Sequence, residues 1–203
     1  MGMASQCTVR ELALHPTATD DALVRRCQKG EREPFRLLVE RYGDVVFGTA
    51  VLMTLDRPLA EDLAQEAFLH AWRGIRTFRP GSSFRPWLLR ILVNRVMSHR
   101  RRRLFDLVPL PCGGRAPAAN PGPDAVAEQN EEHAAVRSAI ARLPGEQRRV
   151  LVLRYYSELT VPGIARATGL AQGTVKSRLH RALARLREML EVEGLAGERG
   201  AEP

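Results

Sequence analysis

Two stretches of this sequence combine side chains that can hydrogen-bond to base edges with side chains that pair with phosphate. One is Asn94-Arg95 followed by Ser98-His99-Arg100-Arg101 and two further arginines; the other is Gln172-Gly173-Thr174, then Lys176-Ser177-Arg178 and His180-Arg181. Amide side chains offer a paired donor and acceptor, and guanidinium offers a planar fork. Both suit reading and holding a nucleic acid better than making or breaking bonds. A third stretch, EDLAQEAFLHAW, puts Asp62, Gln65 and Glu66 on a polar helix face. Such an acidic face would repel DNA, so it fits either a protein partner or plain solvent. No set of residues has catalytic or metal-binding spacing. His15, His70, His99, His133 and His180 are scattered, and Cys7, Cys27 and Cys112 form no CxxC pair. The expectation is a protein without metal, cofactor or enzymatic activity.

Composition points the same way. Lys+Arg number 31 against 23 Asp+Glu, a net charge of +8, and only Lys29 and Lys176 are lysines. An arginine excess suits an anionic partner, although codon bias produces the same excess. Apolar residues make up 44%, enough for a packed core. No apolar run approaches the roughly 20 residues that span a bilayer, and the first residues do not read as a signal peptide. A cytoplasmic protein without membrane insertion is expected.

These stretches must be carried by helices. Apolar residues recur at helical spacing, and no alternating run of β-branched residues marks a strand. Residues 104–128 hold five prolines and three glycines, which no helix or central strand sustains. The reading is therefore all-α: a disordered tail over 1–18, a helical domain over 19–103, a flexible linker over 104–128, a second helical domain over 129–193 and a tail over 194–203. Asp20, Asp56 with Pro58, and Ser83 are expected to open helices in the first domain. In the second, Glu146 to Tyr156 should form one helix, and Thr160 should cap the next. Ala165, Gly169 and Val175 then mark a helix-turn-helix. The small residue allows a steep crossing, glycine makes the turn, and valine plugs the second helix onto the first. On that second helix Val175, Leu179, Ala182, Leu183, Leu186 and Leu190 are expected to be buried. Its opposite side then faces outward, as a recognition helix does in a major groove.

Taken in order, AEDLAQEAFLHAW, SSFRPWLLRILVNRVMSHRRRR, the Pro-rich linker and LPGEQRRVLVLRYYSELTVPGIARATGLAQGTVKSRLHRALARLREML resemble the extracytoplasmic-function (ECF) group of sigma-70-type initiation factors. The resemblance covers about residues 20–103 and 130–192. It implies a factor that binds core RNA polymerase, at the β′ clamp helices and the β flap, and directs transcription initiation. Asp62, Gln65 and Glu66 match the face that docks on the clamp. Residues 78–84 match a loop that captures a flipped base. Phe84, Asn94, Arg95, Ser98, His99, Arg100 and Arg101 match residues that read the −10 element and hold its melted non-template strand. Gln172, Gly173, Thr174, Lys176, Ser177, Arg178, His180 and Arg181 match the reader of the −35 element on duplex DNA. An anti-sigma factor is an implied further partner. Ser98 stands where family members often carry Asp, so the −10 preference does not carry over.

The linker meets the geometric demand. Promoter elements roughly 17 base pairs apart are separated by about 60 Å, and a 25-residue Pro-rich tether reaches roughly 78 Å. Two other classes remain open from the residues alone. A resolvase-type recombinase also ends in a helix-turn-helix, but it needs a nucleophile on a sheet scaffold. A stand-alone repressor needs a dimer surface or a small-molecule pocket in its first half.

Overall fold

The computed structural model describes residues 18–79, 81–106 and 130–192, and every regular element among them is helical. The expected tails and most of the expected linker lie outside the described residues. The helices are α1 (Asp20–Gln28), α2 (Glu33–Thr54), α3 (Arg57–Gly74), α4 (Phe84–Asp106), α5 (Asn130–Arg142), α6 (Gly145–Leu151), α7 (Val161–Thr168) and α8 (Gln172–Val192). Helix α4 runs to Asp106, past the linker start expected at residue 104.

Capping chemistry explains most of the boundaries. Asp56 Oδ1 accepts from the Leu59 N–H at 3.0 Å, and Thr160 Oγ1 accepts from the Gly163 N–H at 3.2 Å. One expectation needs correction: Thr19, not Asp20, caps α1, its hydroxyl accepting from the Ala22 N–H. The Asp20 carboxylate is occupied instead by the Arg41 guanidinium and the Tyr42 hydroxyl. Gly169 ends α7 at φ 74°, a left-handed conformation that costs glycine little. The helix expected over Glu146 to Tyr156 also differs. After Leu151 it widens into a π-helical turn over Val152–Tyr156, with the Ser157 N–H reaching the Val152 carbonyl at 2.9 Å.

In the first half α3 lies between α2 and α4. Its buried side is largely alanine (Ala60, Ala64, Ala67 and Ala71), which lets both neighbours approach closely. In the second half α6 and α7 pack against α8, with Leu143, Leu151 and Ala182 forming a small additional core. Leu183, expected inside, is 40% exposed, because at 100° per residue it turns away from the side that Ala182 and Leu186 share.

The two halves do not stand apart. One buried cluster runs from Leu38 and Leu88 through Leu153, Ile164 and Val175, with α4 against α7 and α2 against the π-helical turn. Thr49 and Ser157, 108 residues apart, share a buried hydrogen bond of 2.9 Å. The Tyr156 hydroxyl fills the space a Cβ on Gly48 would need, only 1.9 Å from that position. Arg85 pairs with Glu158 at 2.7 Å at the edge of this seam.

Thr49 also donates to the Val45 carbonyl, so in the shared bond Ser157 must be the donor. Thr49→Val therefore leaves a buried hydroxyl without an acceptor. It should cost about 1–3 kcal/mol in urea unfolding, and the double variant Thr49→Val/Ser157→Ala should recover most of that loss. Equal losses in both proteins would mean that the hydrogen bond is not what holds this contact.

Candidate DNA-reading and protein-docking faces

Helix α4 has three distinct sides. At 100° per residue, Arg90, Asn94, Ser98 and Arg101 fall on one side, and Arg90, Asn94 and Arg101 are exposed. Phe84, Leu88 and Leu92 fall on the side turned to the first-half core. Arg85, Leu89, Val93, Val96 and Arg100 fall on the side turned to the second half.

This arrangement divides the residues expected to meet the −10 element. Asn94 and Arg101 face solvent, and half-buried Ser98 accepts from Arg101 Nη2 at 3.4 Å. Arg95 lies lower, its Nη1 3.3 Å from His70 Nε2 on α3. His99 is half-buried, and Arg100, although exposed, belongs to the side facing the second half. Phe84 is a correction: it is 1% exposed and locked among Tyr42, Phe78 and Trp87, with ring centroids 5.5–5.8 Å away. It can shape a DNA surface and cannot itself touch one. Beside it a recess of about 460 Å³ is lined by Ser82, Ser83, Trp87 and Arg90, and by Arg166 from α7.

On α8, Val175 and Leu179 are buried, so Gln172, Gly173, Lys176, Ser177, His180 and Arg181 face outward. Thr174 is half-buried. The Ser177 hydroxyl donates to the Thr174 carbonyl and Arg181 Nε to the Ser177 carbonyl, which steadies both side chains along the helix. Arg178 departs from expectation. Its side chain is 18% exposed and pairs with Glu146 at 2.6 Å, so it braces α8 on α6.

The acidic face stands where the sequence put it. Asp62, Gln65 and Glu66 are exposed on α3. Beside them lies an apolar groove of Phe35, Val39, Phe68 and Trp72, with Leu69 55% exposed at its rim. A larger apolar trough of about 750 Å³ crosses the seam, lined by Phe47, Gly48 and Leu52 of the first half and Val136, Ile140 and Tyr155 of the second. No pattern in the sequence announced it, since each half contributes only part of its lining.

Among the described residues no group of His, Cys, Asp and Glu could hold a metal ion, and no helix is long and apolar enough to cross a membrane. Burial pushes the Cys27 thiol up to about 11, which keeps it protonated.

Comparison with known proteins bears directly on these faces. Residues 38–104 match the family described as Sigma-70 region 2, and residues 133–186 match Sigma-70, region 4. The chain is 34% identical over 172 residues to the RNA polymerase sigma-H factor of Pseudomonas aeruginosa, covering 80% of this chain and 89% of that one. It is 33% identical over 197 residues to the ECF RNA polymerase sigma-E factor of Haemophilus influenzae, covering 85% and 94%. Its fold is similar to that of CnrH in complex with the cytosolic domain of CnrY (TM-score 0.63, 27% identity, 86% and 98% covered). It is also similar to the sigma factor RpoE in complex with the anti-sigma factor NepR from Bartonella quintana (TM-score 0.62, 28% identity, 80% and 99% covered).

The packing of Cys27 can be checked chemically. At pH 8 the folded chain should leave Cys27 unmodified by iodoacetamide, and unfolding in urea should expose it, as read by peptide mass mapping. Full alkylation of native protein would show that α1 is not seated as described.

Proposed function

The chain belongs to the ECF group of the sigma-70 family, and on that premise we propose how its faces divide the work of initiation. It is a promoter-directing sigma factor of RNA polymerase. The observation that carries the division of labour is the placement of two outward faces of amide, hydroxyl and basic side chains on helices anchored in different halves, with a separate acidic face on α3. Asp62, Gln65 and Glu66, with the apolar rim at Leu69, dock on the β′ clamp helices of core polymerase. The second half meets the β flap. Asn94 and Ser98 read the −10 element, Arg101 holds its phosphates with Arg95, His99 and Arg100 beside it, and the recess beside Trp87 takes a flipped base of the melted strand. Arginine forks and an aromatic wall suit both phosphate and an unstacked base. Gln172, Gly173, Lys176, Ser177, His180 and Arg181 read the −35 element in the major groove.

The seam imposes an order of events. Helix α4 packs directly on α7, and α7 on α8. Packed helices lie about 8–10 Å apart, so the two reading faces sit far closer than the roughly 60 Å between promoter elements. The halves must part for one molecule to hold both elements, and parting also withdraws Arg166 from the recess beside Trp87.

An anti-sigma factor is the second protein partner. The apolar trough crossing the seam fits the nonpolar side of an amphipathic helix. A helix seated there would touch both halves and oppose their parting.

Transcription from a promoter library with core polymerase tests the whole reading. The factor alone should bind DNA weakly, and start-site-specific transcripts should appear only with core enzyme. Gln172→Ala and Lys176→Ala should shift the −35 preference, whereas Asn94→Ala and Ser98→Ala should shift the −10 preference. Each lost base contact is worth about 1–3 kcal/mol, tenfold or more in occupancy. Arg101→Ala, a phosphate contact, should weaken all promoters alike and flatten the salt dependence. Nanomolar binding of a palindromic duplex by the factor alone would favour a repressor instead.

A further inference from the structure

Four guanidinium groups from three helices meet where α4 passes the start of α6. Arg100 of α4 rests against Gly145, its Nη1 2.7 Å from where a Cβ on that glycine would lie. Arg178 of α8 reaches in from the other side to Glu146. Arg148 of α6 donates to the carbonyls of Ala141 and Leu143, and its buried Nε has no acceptor. Arg149 is 8% exposed, and no second acidic side chain stands beside Glu146 among the groups acting on it. The charges acting on it are Arg100, Arg178 and Arg148, opposed by Glu146 alone. Burial and Arg100 pull its pKa below the ordinary arginine value.

A mostly buried charge opposed by one shared carboxylate among three other cations is under-compensated, and such charge is costly. Glu146 cannot satisfy this cluster, because its carboxylate is taken by Arg178 and is 64% exposed. What is missing is negative charge with oxygens pointing in several directions. Guanidinium forks match phosphate oxygens two at a time. Arg100 and Glu146 are exposed, so the cluster opens to solvent at its rim.

We propose that Arg100, Arg149 and Arg178 form a binding site for a small polyphosphate anion, either inorganic pyrophosphate or the phosphate tail of a nucleotide. Arg100 belongs to the first half and the other two to the second, so the anion ties the halves together across the seam. It binds the closed arrangement and finds no complete site once the halves part. Linkage then requires that it favour closure. Without it, Arg100 repels Arg149 and Arg178 and the seam opens more readily. Asn94, Ser98, Gln172 and Lys176 take no part in the site, Arg100 adjoins the −10 face, and anion binding can be measured without polymerase or DNA.

The test is calorimetric titration of the full chain with sodium pyrophosphate at low chloride, alongside tripolyphosphate, ATP and sulfate. One saturable site is expected, with pyrophosphate at least tenfold tighter than sulfate. ATP matching tripolyphosphate would show that the phosphates alone are recognised; ATP binding more tightly would point to a nucleotide as the source. Arg149→Met and the exposed Arg100→Gln should each weaken pyrophosphate at least tenfold, while Arg32→Gln at the start of α2 should not. Pyrophosphate should also lower the radius of gyration in small-angle scattering. The proposal falls if binding does not saturate, if Arg32→Gln loses as much as the cluster variants, or if Arg100→Gln has no effect. It falls as well if Arg149→Met weakens binding to an oligonucleotide while pyrophosphate does not bind.

Discussion

Helix α4 has to bury Leu88, Leu89, Leu92, Val93 and Val96 at once, and at 100° per residue these side chains span too wide an arc for one neighbour to cover. Adding Phe84 widens the arc further. The first half covers one part with α2 and α3, and only α7 of the second half covers the rest. The consequences reach through the molecule. The helix keeps a free strip, occupied by Arg90, Asn94, Ser98 and Arg101, so the surface proposed to read bases is what the core leaves over. The same demand brings the helix-turn-helix against the first half and creates the seam.

The seam is held by shape and hydrogen bonding and opposed by charge. Aliphatic packing, the Thr49–Ser157 bond and the seat of Tyr156 on Gly48 favour closure. Arg85–Glu158 adds little, because the glutamate is 71% exposed and solvent screens the pair. Against these stands the arginine cluster at the start of α6, which sets like charges from both halves beside each other. A contact balanced in this way suits the proposed closing and opening of the two halves. Strong enough packing would trap it shut, and none would leave α4 with Leu89 and Val93 in water.

Local structure was largely legible from the residues. The 3.6-residue repeat marked the helices, Asp56 and Thr160 marked starts, and Gly169 marked the tight turn of the helix-turn-helix. The exposure of Gln172, Lys176, Asp62 and Gln65 followed from the same repeat. The misplacements share one cause. Phe84 reads as a surface aromatic in a loop, but three rings from α2, α4 and the segment before α4 enclose it. Arg178 sits among outward-facing residues by number, yet Glu146 on α6 draws it inward. Leu183 belongs to an apolar run that outlasts the core available to cover it.

Helix identity and element order rest on interactions within a few residues, so they are written in the periodicity and capping residues themselves. The seam is of another kind. Thr49 and Ser157 are unremarkable residues 108 positions apart, and their hydrogen bond exists only because α2 and the π-helical turn fit against each other. The notch at Gly48, the trough shared by Phe47 and Tyr155, and the convergence of Arg100 with Arg149 likewise require both surfaces at once. A linear pattern reports which side of a helix will be buried. It cannot report against what, because complementary packing is a property of two surfaces and neither segment encodes it alone.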